Sequence, residues 1–162
     1  YKCMIMYIIL KISLKVWNQK IILYYMFYFI DSDSQELIKQ SAIVREYSYA
    51  PYSNFKVGSA ILCTDGTIIK GCNVENLSYP VGICAERTAI AKAISEGKRK
   101  FKILAVVADQ ENKFTTPCGM CRQAIAEFGN VTIYCAKSDM KDVLRTTLND
   151  LLPFAFSPDV KN

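Results

Sequence analysis

The sequence predicts an α/β domain, a sheet of at least four strands with helices packed on it. Asp65-Gly66 separates two strand-like runs, residues 55–63 and 67–73, and is the strongest short hairpin signal available. Residues 102–108, Lys-Ile-Leu-Ala-Val-Val-Ala, are almost continuously apolar, as in a strand buried on both faces. Helical stretches alternate with these runs in the order α-β-β-α-β-α-β-α. A chain of 162 residues is one domain by prior and long enough to bury a single core.

The elements follow in order. Asp33 and Ser34 offer N-cap oxygens, with Glu36 three residues after Asp33. The first helix is expected from about Gln35 to Ser48, burying Leu37, Ile38, Ala42, Val44 and Tyr47. Tyr49-Ala50-Pro51-Tyr52-Ser53 breaks it, and the hairpin follows. A loop with Pro80 and Gly82 leads to Cys84, where a helix starts; it runs to Glu96 and is closed by Gly97. After the apolar strand, loop 109–116 reaches Pro117. A further helix spans Cys118 to Phe128, closed by Gly129. Val131 to Ala136 reads as a strand and Met140 to Thr147 as a helix, before an irregular tail with Pro153 and Pro158.

Residues 1–30 stand apart from this body at 31–162. They are apolar, contain no Ala, Gly, Pro, Asp or Glu, and are rich in amino acids with AT-rich codons. Segments 3–10 and 21–30 fall short of the ~18 uninterrupted apolar residues of a membrane span, and no small-residue cleavage site follows. We expect upstream sequence read as protein, with the native start near Met26; an anchor or organelle leader is the alternative. The net charge of +5 looks basic, but Lys2, Lys11, Lys15 and Lys20 lie in this extension without any acid, which leaves the body near neutral. The body therefore has no basic excess of the kind a nucleic-acid surface usually shows, and no nucleic-acid partner is expected. Lys98-Arg99-Lys100 reads as a solvated helix end. No membrane association is expected of the body.

The chemistry is concentrated in cysteines. Cys84-Ala85-Glu86 and Pro117-Cys118-Gly119-Met120-Cys121 supply three thiolates and one carboxylate, and the chain has no histidine. A catalytic zinc site needs three protein ligands, an open fourth position and a proton carrier beside it. Glu86 is two residues from Cys84 and can serve as that carrier without filling the fourth position. Both motifs fall at expected helix starts, where backbone N–H groups and the helix dipole favour thiolate. A thioredoxin-like redox pair would explain Cys118 and Cys121 but not Cys84-Ala85-Glu86. A structural zinc site usually takes four ligands. Buried inert cysteines would leave Glu86 unexplained.

Three thiolates on zinc carry excess negative charge, so a neighbouring cation is expected, Arg87 in preference to Arg122. Of the other cysteines, Cys63, Cys72 and Cys135 read as small strand residues rather than disulfide partners. A three-thiolate site belongs in a reducing compartment, hence a cytoplasmic location. Asn73 and Glu75, two apart at a strand end, can face one way and suit a pair of sugar hydroxyls; a polar turn is the plain alternative. Phe55 can pack on a flat base or belong to the core.

Pro51-Tyr52-Ser53-x-Phe55-x-Val57-Gly58, Asn73-x-Glu75-Asn76, Cys84-Ala85-Glu86-Arg87-Thr88-Ala89, Pro117-Cys118-Gly119-x-Cys121-Arg122-Gln123 and Leu151-Leu152-Pro153 together resemble the cytidine deaminases in their short, homotetrameric form. The resemblance spans about residues 35–160, in order. It implies a three-layer α/β/α sandwich around a five-stranded mixed sheet, with the fifth strand near the C-terminus. It implies zinc-dependent hydrolytic deamination of cytidine and 2′-deoxycytidine, with one Zn²⁺ per subunit. Cys84, Cys118 and Cys121 would bind the metal, and Glu86 would carry protons. Phe55, Asn73 and Glu75 would bind the nucleoside, the last two through ribose. The backbone at Ala85 would contact the base, and Arg87 would hydrogen-bond the thiolates. Phe156 is the match for an aromatic that completes a neighbouring subunit's site in tetrameric relatives, with Phe154 an extra aromatic beside it. Lys56 stands where proline is common. A blasticidin-type nucleoside deaminase shares the three-cysteine site but not the Asn73-x-Glu75-Asn76 pattern, and an inactive zinc-binding scaffold is the non-enzymatic alternative.

Overall fold

The computed structural model of the chain describes residues 30–156. The expectations for residues 1–29, Cys3 among them, and for Pro158 lie outside the described residues. The first helix, α1 (Ser32–Arg45), begins three residues earlier than expected. Its cap is Asp31, not Asp33 or Ser34: one carboxylate oxygen accepts from the Ser34 N–H at 3.0 Å and the other from the Ser34 hydroxyl at 2.9 Å. Leu37 and Ile38 are buried as expected. Tyr47 lies past the helix end, in the turn that precedes the pairing of Tyr49 with Val74, and is 77% exposed.

The hairpin forms as β1 (Val57–Cys63) and β2 (Ile68–Cys72), antiparallel, with Gly66 at φ 86° in the turn. Helix α2 (Ala85–Ser95) leads to β3 (Phe101–Ala108). Helix α3 (Gly119–Ala126) then crosses to β4 (Thr132–Ala136), which pairs parallel with β3. The expected helix over 140–147 is replaced by a strand, β5 (Val143–Thr147), antiparallel to β4 with Ala136 opposite Val143 and Thr132 opposite Thr147. A tight turn closed by Lys137 and Asp142 at 2.8 Å, with Met140 at φ 56°, sends the chain back along β4. β-Branched Val143, Thr146 and Thr147 suit the pleated edge it then occupies. A short helix α4 (Leu148–Leu151) follows, opened by a capping box between Thr147 and Asp150.

The sheet has five strands in the order β2-β1-β3-β4-β5 and is mixed. Alternation along β3 sorts the core into two layers. Leu104, Val106 and Ala108 pack with Ala85, Ala89 and Ile125 of α2 and α3. Ile103, Ala105 and Val107 pack with Leu37 and Ile38 of α1. This is the three-layer α/β/α sandwich, with β3 buried on both faces. Among the described residues no helix is long and apolar enough to cross a membrane.

Candidate metal centre and adjoining cleft

Cys84 and Cys118 are the N-cap residues of α2 and α3, and Cys121 lies in the first turn of α3. The two helix starts meet. Cys84 Sγ and Cys118 Sγ are 3.8 Å apart, and all three sulfur atoms lie within 4.8 Å of one another. A tetrahedral zinc with Zn–S near 2.3 Å holds its sulfurs about 3.8 Å apart, whereas a disulfide needs about 2.0 Å. The residues therefore fit a zinc ion. The Cys84 thiol is lowered to about 5, first by the Cys121 thiol donating to it, with help from Arg87 and Cys118 against the opposing effect of burial. Cys121 is raised, because it gives that hydrogen bond and because it is buried beside Glu86. Cys84 therefore favours the thiolate and Cys121 the thiol, and a divalent cation displaces thiol protons on binding.

Glu86, one position into α2, is only 4% exposed. Burial raises its carboxyl, and the neighbouring Cys84 charge raises it further. A buried carboxyl whose hold on a proton is strengthened beside a cysteine cluster is placed to exchange protons there. Of the two candidate compensating cations, Arg87 is the one beside Cys84: its guanidinium lowers that thiol, one Nη donates to the Gly82 carbonyl at 3.4 Å, and its buried Nε has no hydrogen-bond partner. Arg122 is engaged elsewhere, with Pro117, Thr116 and Leu151.

A cleft of about 740 Å³ opens over this centre. Phe55, Asn73, Glu75, Cys84, Ala85, Glu86, Arg87 and Cys118 all line it, whereas Cys121 is fully buried. Val74 pairs with Ile83 by two 2.9 Å backbone bonds, and Tyr49 bridges Asn73 and Glu75 in the same way, so the end of β2 ties both flanking loops to the Cys84 turn. Asn73 Oδ1 accepts from the Val57 N–H at 2.9 Å and its Nδ2 donates to the Phe55 carbonyl at 3.0 Å. One amide hydrogen and one lone pair of Asn73 remain for a ligand. The Glu75 carboxylate accepts from the Ser53 hydroxyl and from the N–H groups of Tyr52 and Ser53, which hold it below the usual range. Ser53 was not singled out from sequence as the group that fixes Glu75; its place in the Pro51-Tyr52-Ser53 turn was the available signal. Phe55 is half-buried, packing on the core while facing the cleft.

Phe154 and Phe156 do not line this cleft; both are fully exposed on the same subunit, with Phe156 86% exposed. Cys63 and Cys135 are buried strand residues as expected, and Cys72 is half-buried.

The family model for the cytidine and deoxycytidylate deaminase zinc-binding region matches residues 31–137. A cytidine deaminase of Sporosarcina psychrophila is 52% identical over 128 residues, covering 78% of this chain and 93% of the relative. The crystal structure of a cytidine deaminase from Burkholderia pseudomallei superposes with a TM-score of 0.71 at 44% identity, covering 75% of this chain and 98% of that one. A blasticidin-S deaminase of Bacillus cereus is more distant, at 30% identity over 62% of this chain and 76% of the relative.

Proposed function

The chain belongs to the cytidine and deoxycytidylate deaminase family, and from that premise we propose that it hydrolyses cytidine and 2′-deoxycytidine to the corresponding uridines with release of ammonia, in pyrimidine salvage. One observation carries the reading: a raised, buried carboxyl, Glu86, stands beside three convergent cysteine sulfurs on the wall of a cleft that Asn73 and Glu75 also line. A zinc ion held by Cys84, Cys118 and Cys121, one per subunit, would supply a Lewis acid and acidify a water in its open position.

The chain's own groups would do the rest. Asn73 would donate to and accept from the ribose hydroxyls, and the Glu75 carboxylate, held by Ser53 and two backbone N–H groups, would accept from them. Phe55 would flank the base, and the backbone at Ala85 would read its edge. Glu86 would take a proton from the attacking water and give it to ring N3, making C4 electrophilic, and then carry the proton of the new C4 hydroxyl to the departing amino group, so that C4 becomes the carbonyl as ammonia leaves. Arg87 would offset the excess thiolate charge. Phe156 would reach a neighbouring subunit's site in a homotetramer, and three cysteines kept reduced for a metal would suit a cytoplasmic setting.

The test is loss of absorbance of cytidine and 2′-deoxycytidine with and without a zinc chelator, with cytosine, CMP and blasticidin S in parallel. Chelator-sensitive loss with cytidine and deoxycytidine is the expected result. Activity on blasticidin S alone would favour the alternative deaminase, and bound zinc without any turnover would favour a scaffold. Glu86→Gln should keep its zinc and fall to about a hundredth of the wild-type rate or below, since general acid–base groups contribute roughly 10²–10⁴-fold. A variant retaining most of its activity would remove Glu86 from the scheme.

A further inference from the structure

Arg122 directly follows Cys121 on α3, yet its guanidinium does not turn toward the sulfurs. Nε donates to the Pro117 carbonyl at 2.7 Å and one Nη to the Thr116 hydroxyl at 3.0 Å. These two bonds brace the loop that delivers Cys118. The other Nη crosses to the Leu151 carbonyl at 2.8 Å, at the end of α4. The next side chain, Gln123, donates Nε2 to the Phe156 carbonyl. Two adjacent side chains of the cysteine helix thus hold both ends of segment 151–156.

That segment has few directional ties of its own. Leu152 closes α4 on Leu148, but among the described residues no backbone hydrogen bond holds 153–156, and Phe154 sits at φ 60°. Leu151, Leu152 and Ala155 pack on the core, but apolar contact is non-directional. A planar guanidinium fork does set direction, because it fixes two partners relative to each other.

We propose that Arg122 and Gln123 are positioning residues that fasten segment 151–156 to the cysteine turn, so that the hold on the metal and the placement of Phe154 and Phe156 are coupled. The proposal rests on the reading of the cysteine cluster as a zinc site. Coupling between two sites is reciprocal: loosening the segment should loosen the cysteine turn, and Gln123, which bonds Phe156 and no cysteine, provides the discriminating variant.

The experiment uses the zinc-loaded full chain as wild type, Arg122→Gln, Arg122→Lys and Gln123→Leu. Zinc release to a chromogenic chelator and hydrogen exchange at 151–156 are measured, with α1 as the reference segment. Arg122→Gln should release zinc about tenfold faster, the lower end for loss of a group supporting metal ligands. Arg122→Lys, which keeps the charge but not the fork, should follow it, and it replaces the glutamine variant if that one does not fold. Gln123→Leu should also speed release, with exchange rising at 151–156 but not in α1. Release from Gln123→Leu at the wild-type rate, or exchange rising equally in α1, would overturn the coupling. A wild type that holds no zinc would overturn the zinc reading and the coupling with it, whereas zinc held equally well by every variant would overturn the coupling alone.

Discussion

Glu86 is a buried carboxyl whose placement works against stability at neutral pH, as the chemistry proposed for it would require. Burial, then the Cys84 charge, raises its carboxyl, while an unfolded glutamate titrates near about 4.3. Between those two values the folded chain binds more protons than the unfolded one. The stability it contributes is full below the unfolded pKa and is lost as pH rises through the folded value. In zinc-stripped protein Glu86→Gln should therefore melt higher than wild type at pH 7.5, by about 2–4 °C for each kcal/mol regained, and the gap should close below about pH 4. Thermal scans at the two pH values check this; equal melting at pH 7.5 would mean that burial of the carboxylate is compensated. Glu86 was legible in the sequence because its partner, Cys84, is two residues away. Arg122 was visible only as a candidate cation, since its true partners are carbonyls and a hydroxyl that folding brings from positions 116, 117 and 151.

Helices and strands place these residues through close backbone contacts. At Gly71 of β2 an added Cβ would sit 2.4 Å from the Ala89 nitrogen and 2.7 Å from the Ala85 oxygen of α2. Backbone cannot yield as a flexible side chain can, so Gly71→Ala must push back the helix that starts at Cys84 and Glu86. A loss of about 1–3 kcal/mol is expected from such overpacking, together with a clear fall in kcat, read by urea unfolding and initial rates. Gly66→Ala meets nothing within 4 Å, but its φ of +86° should cost about 1 kcal/mol with activity unchanged. If the two substitutions affected kcat alike, the β2–α2 contact would not position the site. Most element types were legible, because caps, the Asp65-Gly66 turn and apolar runs are local signals. The stretch 140–147 was not: Val143 and Leu144 fit either period, and what decides for strand is the free edge of β4 together with the turn at Met140, both properties of the assembled sheet.

At the scale of the whole molecule, the described residues expose a group of large apolar side chains near the cleft and on the C-terminal segment. Tyr79, which lines the cleft, is 80% exposed, and Leu77, Val81, Phe154 and Phe156 are exposed as well. Exposed aromatic and aliphatic side chains in such numbers mark an interaction surface, which agrees with the proposed homotetramer of 18.3 kDa chains. If Phe156 completes a neighbour's site, Phe156→Ala should raise KM for cytidine about tenfold, since an aromatic contact with a base contributes about 1–3 kcal/mol, and change kcat less. The decisive form of the test mixes subunits. Glu86→Gln chains lack the proposed proton carrier but keep Phe156, and Phe156→Ala chains keep Glu86. Co-assembled, the two should form some sites with Glu86 from one chain and Phe156 from the other, and those sites should turn over with the wild-type KM. Recovery of that KM on mixing, together with a tetrameric mass by sedimentation, is the expected outcome. A mixture that shows only the KM of Phe156→Ala would mean that each subunit completes its own site, and that the exposed C-terminal aromatics serve assembly without touching substrate.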